Sequence, residues 1–162
     1  MSTIAGCSFS TGDESTGQKV EISAAYGDGE EAFESGRDAY RSANSELDAE
    51  NYQTAAEGYG QAGSDFDEVA GHFSEAIELF EELEDTDGRD ICVDARDGTQ
   101  LYGSSAGSLR AAMEAAEAGD TDEARTHFEE AESELEQAQA IEVQSQSQLR
   151  TTLGLGDDQQ GP

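Results

Sequence analysis

The chain has one proline, one lysine, two cysteines and no tryptophan in 162 residues. The proline is the terminal residue, Pro162, so no helix is interrupted by one. Two cysteines make no disulfide framework. No apolar run exceeds three residues, which excludes an encoded transmembrane helix. Leu, Ile, Val and Phe together number 24, and a share that low with a large net charge points on composition alone to disorder. Periodicity overrules that reading for the middle of the chain. Cations are scarce: 8 Lys and Arg stand against 38 Asp and Glu, for a net charge of −30. That balance excludes non-specific binding to nucleic acid or to an anionic membrane surface, since both are polyanions.

What is abundant is acid, spread along the whole chain. The longest acidic runs are pairs such as Glu81-Glu82, unlike the blocks of five or more that mark acidic interaction tails. Lys19 is the sole lysine and the other seven cations are arginines. Self-repulsion at this charge destabilises a compact state in dilute buffer, whereas molar salt shortens the Debye length to ~3 Å and removes most of that cost. An acid-rich, lysine-poor surface of this kind resembles proteins of salt-in halophiles, the haloarchaea above all. The resemblance covers the composition of the whole chain and implies nothing about activity.

Residues 1–27 are rich in Ser, Thr and Gly with scattered apolars such as Phe9 and Ile22, and read as a flexible leader. Phe33, Gly36, Tyr40, Ala43 and Leu47 then fall at steps of three and four, one face of a helix. Asp28 with Glu31 resembles a capping box, so the first helix is expected over about 29–48. A step of five breaks the phase before a long series: Tyr52, Ala55, Tyr59, Ala62, Phe66, Val69, Phe73, Ala76, Phe80 and Leu83. Its unbroken 3-4 alternation predicts one continuous helix over about 50–84, ~50 Å long, despite four glycines between Gly58 and Gly71 that each lower helix propensity by up to ~1 kcal/mol. After a turn at 84–88, Asp87 is positioned to cap a third helix over about 88–118, with a seam through Ile91, Ala95, Gly98, Tyr102, Ser105, Leu109, Ala112 and Ala116. Gly119 ends it. Asp120 with Glu123 opens a fourth helix over about 120–145, with Ala124, Phe128, Ala131, Leu135 and Ala138 on its seam. Residues 151–162 read as a disordered tail.

An offset of 69 residues superposes the first two seams on the last two, bringing Phe33 to Tyr102, Tyr40 to Leu109 and Phe66 to Leu135, with the phase break at the same place. This fits either a duplicated helical hairpin or two independent amphipathic hairpins. The stretch Gly119-Asp120-Thr121-Asp122-Glu123-Ala124 with Phe128 and Ala131, and more weakly Asn51-Tyr52 with Ala55, Tyr59 and Ala62, resembles the turn and second helix of tetratricopeptide repeats. The family's Trp-Leu-Gly start and closing proline are absent, and the period is not 34. The resemblance implies at most an interaction module of paired helices.

Candidate chemistry is sparse. Glu68 and Glu123 precede His72 and His127 by four residues, whereas a di-iron bundle needs Glu-x-x-His on an inward face. Both histidines flank seam positions, as boundary histidines do. Asp85, Asp87, Gly88, Asp90 and Asp94 resemble a calcium loop, but its first ligand position would be Leu83 and its twelfth Asp94 rather than Glu. Cys92, beside Ile91, reads as a small hydrophobe. Ile4-Ala5-Gly6-Cys7 resembles a lipobox, the lipidation motif of lipoproteins, although only three residues precede it and neither a charged nor an apolar signal region does.

The expected fold is all-α, a four-helix up-down antiparallel bundle over 28–150. The expected function is non-enzymatic: a halophile helical bundle anchored at the cell surface by lipid on Cys7, binding a protein partner or serving a structural role. Membrane attachment would come only through that lipid. No catalytic, metal or cofactor site is expected. A cytoplasmic tetratricopeptide-like adaptor is the alternative, and a metal- or ligand-binding bundle the third reading.

Overall fold

A computed structural model describes residues 11–80, 83 and 85–156. Among the described residues there are five helices and no strand: α1 (Thr11–Asp48), α2 (Tyr52–Leu79), α3 (Thr86–Ala118), α4 (Thr121–Ala140) and α5 (Gln146–Thr152). The first four run up and down, each packed along the next, as the all-α reading expects. None of the described helices is long and apolar enough to cross a membrane.

The seam of α2 explains the packing. Ala55, Tyr59, Ala62, Phe66, Val69, Phe73, Ala76 and Phe80 are all buried. They form one rod with no turn near Gly63. Its aromatic rings fit against glycines of the flanking helices. A Cβ on Gly36 would lie 2.9 Å from the ring of Phe66, and one on Gly29 2.7 Å from that of Phe73. Glycine on α1 therefore lets the two helices approach closely enough to enclose these rings. Phe33 of α1, Phe66 and Tyr102 of α3 form an aromatic triangle with ring centroids 5.4–5.6 Å apart, an arrangement worth more than its buried area alone.

The two ends of the α2 seam differ from expectation. Tyr52 is the first helical residue and is exposed. The regular helix stops at Leu79, one residue before Phe80, so Leu83 lies in the connection. The α1–α2 turn closes with Glu50 at φ 61°, a left-handed conformation. Gly119, at φ 82°, ends α3, and Asp120 caps α4 by accepting the Glu123 N–H at 3.1 Å. The cap of α3 is Asp85, which accepts from the Gly88 N–H, rather than Asp87.

α3 buries two strips because it has two neighbours. Ser105 donates to the Ala131 carbonyl of α4 at 3.0 Å, while Ala106 and Gly103 face Gly63 and Phe66 of α2. Cys92, Thr99, Ala106 and Met113 lie beside the expected seam and are also buried.

Both expected ends of the bundle need correction. Residues 11–27 are not a flexible leader: they are the first turns of α1, with Ile22 and Tyr26 fully buried. The helix runs through Asp28, which caps nothing. Met1–Ser10, including Cys7, lie outside the described residues. At the other end, α4 stops at Ala140 and the chain crosses in an extended stretch to α5. Ser145 caps α5 in a capping box with Gln148. Leu149, Leu153 and Leu155 are buried against Ile22, Tyr26, Phe80 and Cys92. Residues 143–156 are thus a strap across the groove between α1 and α3, where residues 151–156 were expected to be tail. Residues 157–162 lie outside the described residues.

Candidate functional site

The strap fills only part of that groove. Beyond it a cleft of about 800 Å³ remains, between Gly27–Glu34 of α1, Gly98–Tyr102 of α3 and the end of α4. Its floor is Phe73 with Phe33 and Tyr102, and its far wall is Ala138, Ile141 and Val143. Glu30, Glu31 and Glu34 rise from α1 on the near side, and no Lys, Arg or His is among the lining residues. A concave, mostly apolar site of this size with a few polar groups is the ordinary form of a ligand or side-chain pocket.

Each wall is positioned by a local device. Gly98 faces Val143 and Ile141, to which a Cβ would lie in ordinary contact at 3.4 Å and 3.7 Å. Thr99, buried at 2% exposure, has its hydroxyl committed to the Ala95 carbonyl at 2.8 Å. The strap is fixed to α1 by hydrogen bonds along its length, Arg150 Nη1 to Ser23 Oγ at 3.5 Å among them. Tyr26 donates its hydroxyl to the Gln144 carbonyl. Gln146 Nε2 donates to the Ser23 carbonyl at 2.6 Å, and its backbone N–H to Glu30 at 2.9 Å. Lys19, the only lysine, donates to the Leu153 carbonyl at 2.9 Å. Among the described residues no buried side-chain polar atom lacks a partner.

The cleft holds no nucleophile paired with a base. Its hydroxyls are Thr99, Tyr102 and Ser145, and Ser145 is engaged with Ser147 and Gln148. Burial raises the hydroxyls of Tyr26, Tyr40 and Tyr59 above the usual tyrosine value and pushes the Cys92 thiol up to about 12. Those shifts oppose ionisation and so oppose reactivity. The arrangement can enclose an apolar group and face a positive charge.

The other candidate residues do not meet there. His127 contacts Glu130 at 3.0 Å and Glu123 at 4.0 Å, all on α4, while His72 is half-buried on α2. Among the described residues, no three His, Cys, Asp or Glu side chains gather as a metal set. Asp85 serves as the cap of α3. Cys92 is fully buried, as a small hydrophobe would be. Most arginines pair on their own helix, as Arg37 with Glu34, Arg41 with Asp38, Arg110 with Glu114 and Arg125 with Glu129. Such exposed pairs contribute little.

Sequence reasoning missed the cleft because the extended stretch 141–145 that forms one wall was expected to continue the fourth helix, and Gly27 was assigned to the leader. The signals were present: Ser145 with Gln148 has capping-box spacing, and Gly29, Tyr26 and Ile22 continue the α1 seam backwards from Phe33. Comparison of the chain with known protein families, with curated proteins and with solved structures finds no match.

Proposed function

We propose that the chain is a non-enzymatic helical interaction module of a salt-adapted cell, held at the cell surface through lipid on Cys7, that engages a protein partner in the cleft between α1 and α3. The observation that carries this reading is the cleft itself: about 800 Å³, floored by three aromatic rings and walled by carboxylates, without a reactive pair. The charge of −30 supports the salt-adapted setting, and Ile4-Ala5-Gly6-Cys7 supports the anchor. A second reading, a cytoplasmic tetratricopeptide-like adaptor, is favoured by the α1–α2 and α3–α4 pairs, each joined by a tight turn.

A photo-crosslinking side chain at Gln139, on the rim, tests the partner site in the native cell. Glu75, on the exposed side of α2, is the control. Discrete adducts from Gln139 alone are expected, with a partner that rebinds the full chain when purified. Identical adducts from both positions, or none, would refute the cleft as the site. Fractionation beside a Cys7→Ser variant tests the anchor: equal release of both proteins from membranes would favour the cytoplasmic adaptor.

A further inference from the structure

The groove between α1 and α3 already has one occupant, and its chemistry indicates what the open part accepts. Residues 143–156, VQSQSQLRTTLGLG, contain no Asp or Glu in a chain that has 38. Leu149, Leu153 and Leu155 supply the buried surface. α1 holds the strap largely by its main chain: Tyr26 and Lys19 donate to carbonyls of Gln144 and Leu153, and Glu30 accepts the Gln146 N–H. The groove therefore takes a leucine-bearing segment free of negative charge, as a strongly acidic wall requires.

The open part continues the same surface one turn further along α1. Glu31 and Glu34 follow Glu30, and Phe33, Phe73 and Tyr102 continue the apolar floor. Glu31 is exposed and forms no hydrogen bond or ion pair among the described residues, while Glu34 reaches Arg37 at 2.6 Å. From Gly27 to Glu34 the helix rises about 10 Å, the span of three extended residues at ~3.3 Å each.

Resting on the reading of the chain as an interaction module, we propose that the open cleft binds a short acid-free segment of a partner protein. One large apolar side chain of that segment sits on Phe33, Phe73 and Tyr102, and an adjacent Lys or Arg faces Glu31 and Glu34. The apolar contact supplies the affinity. The carboxylates select against acidic segments.

The test uses the 15N-labelled full chain at the lowest salt that keeps it helical. It is titrated with a blocked pentapeptide, Ser-Gln-Leu-Arg-Thr, and with the same peptide carrying Glu in place of Arg. Expected are saturable shifts at the amides of Glu31, Phe33, Thr99 and Tyr102, with Leu149 and Leu153 unmoved. The arginine peptide should bind tighter, and Glu31→Lys, at an exposed position, should weaken it about fivefold while leaving helicity intact. Shifts centred on Leu149–Leu155, with strap displacement or a doubled mass, would show exchange of the strap itself and overturn the proposal. So would the absence of saturable shifts up to about 10 mM, or equal binding of both peptides. A Gln139 adduct in the cell combined with no peptide binding would sink this ligand class while leaving the partner site standing.

Discussion

Substituting Gly36 by alanine isolates the contact between glycine and ring that sets the α1–α2 spacing. In an open helix interior, Gly→Ala stabilises by about 0.5–1 kcal/mol, because alanine loses less backbone entropy. Gly71 and Gly107 are such positions, exposed and with nothing within 4 Å of an added Cβ. At Gly36 the new methyl would meet Phe66 Cδ1 and Cε1 at 2.9 Å. The ring cannot swing away, because Phe33 and Tyr102 hold it at centroid distances of 5.4 Å and 5.6 Å. Overpacking of this kind costs about 1–3 kcal/mol, so the helix gain is outweighed and a net loss of about 1 kcal/mol is expected. For a chain of this size that lowers Tm by about 2–4 °C, whereas Gly71→Ala raises it by about 2–3 °C. The assay is circular dichroism melting in molar KCl. In a Phe66→Leu background, which shortens the side chain, Gly36→Ala should turn neutral or stabilising. If Gly36→Ala melts higher in the parent chain, as Gly71→Ala does, the account of the α1–α2 contact is wrong.

The remaining predictions use the same melts. Leu153→Ala should cost about 2–4 kcal/mol, since the side chain is 1% exposed and packs on Phe80 and Gly88; a change within 0.5 kcal/mol would return 151–156 to the status of a tail. Tm should rise steadily from dilute buffer to molar KCl as the repulsion among 38 acids is screened, and a flat response would remove the halophile reading. Alkali should destabilise the fold through Cys92: its thiol is held up to about 12, so above the ordinary value of ~8.5 the unfolded chain loses the proton while the folded chain keeps it. That contribution is fully present at lower pH and fades as pH climbs toward 12, and a Cys92→Ala variant should show a flatter decline of Tm between pH 8.5 and 11.

Much of the fold is legible in spacing, and the illegible part has a physical cause. The 3-4 alternation from Ala55 to Phe80 specifies α2 because every position on it meets a neighbouring helix. The same alternation runs through Ile22, Tyr26, Gly29 and Phe33, but glycine there resembles a loop signal. Its role as the socket of Phe73 appears only when α2 is laid against it. The second buried strip of α3 is equally hidden, since Cys92, Thr99 and Ala106 are small or polar and acquire their meaning from two partners at once. The strap was obscured by composition: TTLGLG resembles a frayed end until Leu149, Leu153 and Leu155 are seen to close the groove. The cleft was hidden with them: Gly27 lies in the segment that reads as leader, and the far wall is the extended stretch 141–145, which reads as the end of the fourth helix.

The cleft exists only while residues 11–27 and 143–156 are docked as part of the folded domain. Amide hydrogen exchange of the full chain in molar KCl tests this directly. The amides of Tyr26, Leu149 and Leu153 are predicted to exchange at least about a hundredfold slower than in an unstructured chain, corresponding to local opening costs near ~3 kcal/mol. Exchange of these amides at the unprotected rate, while Phe66 and Phe73 remain protected, would contradict the account.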